Sequence, residues 1–425
     1  MTSRPHQAGI KRALSHLGGP VDTEGEAGPA KSLAHALDVS SAEGPERHKL
    51  SDEAEETSKD EEIDRAHVHG FHAYPARMHP TTAARLVTAF APEGGVVLDP
   101  FCGSGTVLVE SLIAGREALG TDLNPLAVRL ARAKTAPRDE DARKTLISAA
   151  SRVRAIADER RKTRAGATKR YDQEDAAMFD PHVLLELDSL RAGSFAETDP
   201  NLRADLLLVL SAILVKVSRR RSDTATRTEQ KRIAAGYTAK LFLRKAEELA
   251  RRSAAFEALL PSPRPRARVR DDDATKLSTL KAACADVIVT SPPYAATYDY
   301  LTHHAMRLRW LGLDSKALED RELGPRRRYN AMSGPEAETA WVDELSHFFA
   351  AAARVVRPKG AVIVLIADSE SNGHALRGEV LAAVAAHSAG LRPLARASQQ
   401  RPHFHDQRAF ATAPRREHAL YFQRR

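Results

Sequence analysis

The chain has 425 residues, 42% hydrophobic and 28% charged, which is typical of a globular protein with one large domain or two. Its two cysteines offer neither a disulfide framework nor zinc-site spacing, and this favours a reducing cytoplasm. The net charge of +8 conceals an asymmetry, because residues 1–64 carry −7 and the remainder +15. A basic body favours a polyanionic partner, although solvated basic surfaces are also common.

The first segment, residues 1–62, is predicted to be a disordered acidic tail. It is rich in Gly, Pro, Ser, Ala and Glu and has almost no aromatic residues, so little apolar surface is available to offset chain entropy. The N-terminus lacks the continuous apolar stretch of a signal peptide, so no signal peptide is predicted. The most apolar run, Leu206 to Val217, is shorter than the ~20 residues that span a bilayer and predicts a buried helix.

Residues 63–135 predict a βαβ unit. The short apolar run GGVVLDPF ends a strand near Asp99, GSGTVLVESLIAG has helical spacing, and EALGTD ends a second strand at Asp122. Residues 136–262 are mostly helical in pattern, and strand-like runs resume over 263–425. The simplest arrangement is an open α/β sheet in two halves, 63–135 and 263–425, with a helical insertion between them.

The glycine-rich turn after the first strand predicts a ligand site. Gly103 and Gly105 allow close approach of the backbone, and the carboxyl edge of an open α/β sheet is where ligands bind. Asp122 stands where dinucleotide folds place the acid that binds ribose hydroxyls. The turn is neither GxGxxG nor a phosphate loop, so a ligand with a ribose and no phosphate, such as S-adenosylmethionine, fits. A tight turn with a capping acid is the alternative.

A second corner follows the buried run DVIVT. Ser291, Pro292, Pro293 and Tyr294 end that strand with two fixed φ angles, so the Ser291 hydroxyl and the Pro292 carbonyl are held in set directions. Two acceptors aimed at the hydrogens of a conjugated amine favour a tetrahedral nitrogen and free its lone pair. Tyr294 offers a face on which a base stacks. A strand ended by a Pro-Pro turn, with the tyrosine in the core, is the alternative.

Together LDPFCGSGT, GTDLNP and TSPPY resemble the amino-methylating DNA methyltransferases, which act on cytosine N4 or adenine N6. The resemblance covers roughly residues 69–135 and 265–425. It implies a Rossmann-like class I S-adenosylmethionine-dependent methyltransferase sheet with a helical insertion, whose 63–135 half binds the cofactor and whose 263–425 half is catalytic. Serine in SPPY leans toward cytosine N4 within that family.

Site residues follow from the motifs that match. The segment YPARMHP resembles the family's HPA-x-FP segment with Tyr74 in place of histidine, and DDDATKL resembles its GDA segment with Asp272 in place of glycine. The resemblance implies catalytic Ser291, Pro292, Pro293 and Tyr294, and a cofactor pocket formed by Tyr74, Pro75, Asp99, Phe101, Gly103, Gly105, Thr106, Asp122 and Asp273.

Other residues with reactive or aromatic side chains are weaker candidates. The histidines His67, His69, His72 and His79 lack a cysteine or an acidic neighbour in the sequence, so no metal site is predicted. Tyr298, Tyr300, His303 and His304 either rim a base pocket or pack in the core. Neither Cys102 nor Cys284 stands where a cytosine-C5 nucleophile is needed.

The resulting prediction is a DNA methyltransferase acting on an exocyclic amine, cytosine N4 first, in the cytoplasm and associated with the nucleoid. DNA is the expected partner, with RNA possible and no membrane. Alternatives are an RNA amino-methyltransferase, an adenine-N6 enzyme, and a nucleic-acid-binding protein without catalysis. Residues 136–262 are a candidate for DNA reading, and the basic segments 219–232 and 324–330 are candidates for phosphate contacts.

Overall fold

Ten strands are present in the computed structural model, which describes residues 19–39, 65–225, 227–401 and 407–425. In chain order they are β1 Val21–Gly25, β2 Val96–Asp99, β3 Glu117–Asp122, β4 Ala267–Asp271, β5 Ala285–Thr290, β6 Val356–Ala367, β7 Ser369–Ser371, β8 His374–Leu376, β9 Leu391–Gln400 and β10 Arg416–Arg424. Eight of them form one sheet in the order β1-β9-β10-β6-β5-β2-β3-β4, and β7 and β8 form a separate hairpin.

Fourteen α-helices connect the strands over the described ranges. They are α1 Ala27–Leu37, α2 Pro80–Phe90, α3 Thr106–Ile113, α4 Pro125–Thr135, α5 Glu140–Lys162, α6 Gln173–Met178, α7 Pro181–Phe195, α8 Pro200–Val217, α9 Tyr237–Glu257, α10 Tyr300–Leu311, α11 Lys316–Arg321, α12 Arg326–Tyr329, α13 Gly334–Val355 and α14 Gly378–Ser388. No helix among the described residues is long and apolar enough to cross a membrane.

The sheet is parallel from β4 to β6, whereas β10 runs antiparallel to both of its neighbours. The chain passes from β2 outward to β3 and from β5 outward to β6 on the other side. Its winding therefore reverses between β2 and β5, and a crevice forms at their carboxyl ends. This arrangement confirms the predicted Rossmann-like class I sheet.

Several helices begin where the sequence supplies both a cap and a proline. Asn124 accepts a hydrogen bond from the Leu126 N–H at 3.0 Å, and Pro125 occupies the first turn of α4. Asp199 likewise accepts from two backbone N–H groups, at 2.8 Å each, at the start of α8. Such caps satisfy donors that the first helical turn leaves free, and proline costs nothing there.

The helical insertion predicted at 136–262 is observed as α5 to α9, between Glu140 and Glu257. These helices share one apolar cluster with α4 and α10, including Trp310 and Leu130. The run Leu206 to Val217 is a buried part of α8, as predicted. The insertion is therefore packed onto the sheet's own helices, and it is not a separate globule.

The predicted disorder of residues 1–62 is wrong for residues 19–39. Strand β1 pairs with β9 along the sheet edge, and α1 buries Ala30, Leu33, Ala36 and Leu37 against α2 and the sheet. The composition of this segment is small and polar, but its few apolar residues fall on one helical face. Residues 1–18 and 40–62 of the predicted tail lie outside the described residues.

Candidate active site

The turn after β2 brings backbone close to a cleft. Gly103 and Gly105 have φ values of +49° and +85°, which glycine adopts without steric cost. A Cβ at Gly105 would lie 3.0 Å from the Cα of Ala131 on α4, so this residue packs against the helix and does not line the cleft. Phe101, Gly103 and Thr106 do line it. The predicted loop is thus assembled, with Gly105 in a packing position.

Asp122, at the end of β3, holds this turn in place. Its Oδ2 accepts the Gly103 N–H and its Oδ1 the Asn124 N–H, both at 2.8 Å. Burial raises the pKa of Asp122 to about 6, although the backbone N–H groups act in the opposite direction. The carboxylate lines the cleft and can accept hydrogen bonds from a ligand's hydroxyl groups.

Asp99 connects the two predicted motifs. Its Oδ1 accepts the Thr290 hydroxyl at 2.6 Å and the Phe101 N–H at 3.1 Å. Thr290 is the last residue of β5 and directly precedes Ser291. Burial raises the pKa of Asp99 to about 7. One buried carboxyl group therefore fixes the glycine loop relative to the SPPY corner.

Tyr74 covers the glycine loop from the other side. A Cβ at Gly103 would lie 3.2 Å from the Tyr74 ring, so the close contact depends on glycine. The ring is stacked with Tyr300, with 6.3 Å between centroids, and lies 4.9 Å from His304. Pro75 is not among the residues that line the cleft.

Asp273 also lines the cleft, after β4. Its Oδ1 accepts the Thr275 N–H at 2.9 Å and the Thr275 hydroxyl at 2.6 Å, and Arg321 lies 3.3 Å from its Oδ2. Asp272, in the position of the family's glycine, caps the same turn through bonds from Ser278 and Thr279. Asp272 therefore has its own structural role, whereas Asp273 lines the cleft and its contact with a cofactor stays a prediction.

The four residues after β5 divide into two pairs. Ser291 and Pro293 line the cleft, whereas Pro292 is buried and Tyr294 packs partly against the core. The Tyr294 hydroxyl donates to Glu417 Oε1 at 3.1 Å and lies 3.5 Å from Ser291 Oγ. The ring of Tyr294 does not line the cleft, so its role as a stacking face stays a prediction.

One cleft therefore joins both predicted motifs. Of the predicted residues it contains Tyr74, Asp99, Phe101, Gly103, Thr106, Asp122, Asp273, Ser291 and Pro293, and it leaves Pro75, Gly105, Pro292 and Tyr294 outside its lining.

Sequence reasoning missed one acidic residue in this cleft. Glu322 is buried after α11, and its carboxylate accepts the Tyr300 N–H and a bond from Arg327, both at 2.6 Å. Burial raises its pKa. No local pattern in the sequence around Glu322 indicates that this residue lines the cleft.

The histidine segment has an acidic partner that lies far away in the sequence. His69 Nε2 and Glu110 Oε1 are 2.6 Å apart, and one ligand atom each from His67, His69 and Glu110 fall within 4.8 Å of one another. The expectation that these histidines lack an acidic neighbour is therefore wrong. Arg252 and Arg77 donate to the carbonyl oxygens of His67 and His69 at 2.8 and 2.7 Å, so cations already surround the cluster. The absence of a metal stays a prediction.

The other histidines of these segments have structural partners. His72 bonds to Ser211 Oγ at 2.9 Å, and His79 Nδ1 accepts the Thr81 N–H at the start of α2. His304 bonds to Asn124 at 2.8 Å. These contacts favour packing and positioning roles.

Both cysteines are poor nucleophiles in this structure. Cys102 is buried beside the cleft, and burial raises the pKa of its thiol well above the usual range. Burial also raises the pKa of Cys284, which lies ahead of β5. A neutral thiol attacks weakly, so the geometry gives no support to a C5-cytosine mechanism.

The first basic segment, residues 219–232, is anchored to α10. Asp223 forms a two-bond ion pair with Arg307, at 2.7 and 2.9 Å, and both side chains are buried. Part of the segment's positive charge is neutralised by neighbouring acids, as in Arg219 with Asp180. Across the described ranges no ion pair involves the exposed Arg227, Arg232 or, in the second basic segment, Arg326.

Residues 37–133 match a protein-family model described as DNA methylase. Two curated relatives are similar to this chain over stretches of about 70 residues. The Type II methyltransferase M.MvaI of Kocuria varians is 47% identical over 72 residues, which is 16% of each chain. The Type II methyltransferase M.MjaII of Methanocaldococcus jannaschii is 34% identical over 68 residues, 16% of this chain and 13% of the relative. The matches thus span about one sixth or less of each relative.

Comparison with solved structures gives broad but weak likeness. TrmN from Thermus thermophilus is 11% identical with a TM-score of 0.33, covering 86% of this chain and 53% of its own. The rRNA methyltransferase aviRa from Streptomyces viridochromogenes is 12% identical with a TM-score of 0.31, covering 87% and 94%. The family match confirms the resemblance to amino-methylating DNA methyltransferases, and it supports S-adenosylmethionine as the cofactor.

Proposed function

We propose that this chain, whose residues 37–133 match the DNA methylase family model, is an S-adenosylmethionine-dependent DNA methyltransferase that methylates an exocyclic amine, cytosine N4 first. One observation carries the proposal. The glycine turn after β2 and the SPPY corner after β5 lie at adjacent strand ends, and Asp99 bonds to Phe101 in the turn and to Thr290, the residue directly before the corner. Gly103, Asp122 and Ser291 line a single cleft as a result.

The residues of the cleft fit the cofactor. Asp122 offers carboxylate oxygens to ribose hydroxyls, Asp273 and Phe101 line the neighbouring wall, and no phosphate loop is present in the sequence. S-adenosylmethionine supplies an electrophilic methyl group on a sulfonium. Every other requirement falls on the chain, which must hold the amine, exclude water and align the two reacting groups.

Ser291, which lines the cleft, is proposed to hold the amine together with the backbone carbonyl of Pro292, the buried residue that follows it and lies outside the cleft lining. Ser291 lines the cleft, and the two prolines fix the backbone beside it. With the amine hydrogens bonded to Ser291 Oγ and the Pro292 carbonyl, the nitrogen lone pair points away from both acceptors. Alignment of this kind accounts for up to about 7–11 kcal/mol of barrier lowering without a strong base.

A base in a duplex reaches such a cleft only by leaving the stack, at a cost of a few kcal/mol. The exposed Arg227, Arg232 and Arg326 are proposed to contact phosphates and so to hold the duplex while the base is out. Helices α5 to α9 remain the candidate for sequence reading.

The proposal is tested by incubating the purified chain with methyl-labelled cofactor and either duplex DNA or RNA, followed by nucleoside analysis. We expect label in N4-methylcytosine from DNA. A Ser291→Ala variant should bind the cofactor with unchanged affinity and lose most of its turnover. Label on adenine N6 would reassign the base, and label only in RNA would reassign the polymer. Calorimetry that detects no cofactor binding would overturn the enzyme assignment itself.

A further inference from the structure

A carboxylate from the last strand reaches the SPPY corner. Because β10 is antiparallel to β6, its first residues lie at the edge of the sheet where β2 and β5 end. Glu417 is the second residue of β10 and pairs with Ala367, the last residue of β6. From there its Oε1 accepts the Tyr294 hydroxyl at 3.1 Å, while its Oε2 accepts Arg401 Nε at 2.9 Å.

The Arg401 contact fixes the carboxylate in turn. The Arg401 side chain is almost fully buried, and its guanidinium also donates to Gln399 on the neighbouring strand β9. An arginine has donors only, so it keeps Glu417 as an acceptor and orients the oxygen that faces Tyr294. Charge-assisted bonds of this kind are about twice as strong as neutral ones.

The chemistry of these groups sets the direction of the whole chain of bonds. An ionised carboxylate can only accept, so the Tyr294 hydroxyl must donate to Glu417. Burial and the nearby Glu417 raise the pKa of Tyr294 well above its usual range, so the hydroxyl keeps the proton it donates. Its lone pairs then remain for the Ser291 hydroxyl, 3.5 Å away. That long contact is of the kind that tightens when a substrate binds.

We infer that Glu417 is a positioning residue that, through Tyr294, turns the Ser291 proton toward the tyrosine and the Ser291 lone pairs toward the amine. The inference rests on the proposed function and adds a residue far from any recognised motif. It also gives the Tyr294 hydroxyl, which bonds to Glu417, a role separate from that of its ring.

The test uses full-length Tyr294→Phe, Glu417→Gln and the double variant, assayed for methylation under saturating cofactor and DNA. Tyr294→Phe keeps the ring and removes the hydroxyl that links Ser291 to Glu417. Glu417→Gln replaces a carboxylate, which only accepts hydrogen bonds, with an amide that also donates them. We expect each to lower kcat by roughly tenfold, as for loss of one charge-assisted bond. Cofactor affinity should not change. The double variant should lose little more than either single one, because all three interrupt the same chain of bonds.

Glu379→Gln is the matched control, since Glu379 bonds to Arg396 and lies near His418, the residue after Glu417, without contacting Tyr294. It should keep full kcat. Full kcat in Tyr294→Phe would overturn the inference. A Glu417→Gln variant in which kcat, cofactor affinity and melting temperature all fall together would also overturn it, because that pattern indicates a structural role. If the wild-type chain methylates no amine, the proposed function itself fails. The activity of the wild-type chain therefore distinguishes failure of the proposed function from failure of the inference about Glu417.

Discussion

At the residue scale, the cleft depends on carboxyl groups whose environment is set by burial. Asp99 and Asp122 both have a pKa raised by desolvation, to about 7 and about 6. Because ionisation is harder in the folded state than in the unfolded chain, each group lowers folding stability as the pH rises from about 4 to its folded pKa. A ligand that bonds to the ionised carboxylate recovers part of that cost.

The raised pKa of Asp122 leads to a pH dependence of cofactor binding. The protonated acid loses acceptor capacity toward ribose hydroxyls, so the Kd for cofactor should rise as the pH falls through about 6, by up to tenfold per unit. Titration calorimetry between pH 5 and pH 8 measures it. Asp122→Asn should bind at least tenfold more weakly and lose this dependence, because one amide group would face the Gly103 N–H or the Asn124 N–H donor to donor. Asp141→Asn, exposed on α5, is the control, and an unchanged pH profile in Asp122→Asn would contradict the assignment.

At the scale of single elements, strength of pattern decided what could be predicted. Strands β2, β3 and β5 are marked by apolar runs, and the sequence predicts each near its observed place. Strand β9 was missed, because LRPLARASQQ contains a proline and polar residues and shows no apolar run. Strand β1 and helix α1 were missed for a related reason, since small and polar residues dominate a segment whose four buried residues share one face.

The packing of α1 can be tested by a core truncation. Leu33→Ala removes a fully buried side chain that packs with α2 and the sheet, and it should lower the free energy of unfolding by about 2–5 kcal/mol. Lys31→Ala on the exposed face of the same helix should change it by less than about 0.5 kcal/mol. Urea denaturation followed by circular dichroism compares the two. Equal midpoints would mean that α1 does not dock on the sheet in solution.

At the scale of the whole molecule, the candidate site is assembled from distant parts of the chain. The cleft is lined by residues from before β2 and from the ends of β2, β3, β4 and β5. Glu417, which bonds to Tyr294, comes from the last strand. The helical insertion separates the two halves in sequence and yet packs on both through α4 and α10. The buried ion pair between Arg307 and Asp223 holds the loop 219–232 against α10.

The proposed phosphate contacts belong to this scale. Replacing Arg227, Arg232 and Arg326 with alanine should weaken DNA binding for all sequences alike. It should also reduce the slope of log K against log salt concentration by about 0.9 for each phosphate that is no longer neutralised. The matched control removes three exposed cations from the opposite, amino-terminal edge of the sheet, Lys281, Lys359 and Arg392. Fluorescence anisotropy over a salt series measures both, and equal slopes for the two triple variants would refute a specific phosphate surface.

The sequence by itself determined the βαβ unit, the glycine turn with Asp122 and the SPPY corner, because each is local: a strand, its terminating residues and the next helix obey short-range rules of dihedral angle and periodicity. Only the tertiary structure decided that Tyr294 bonds to Glu417, that Glu322 lines the cleft, that Glu110 contacts His69 and that α1 joins the core. Those contacts join residues far apart in the chain, and they follow from sheet order and packing, which no short window of sequence encodes.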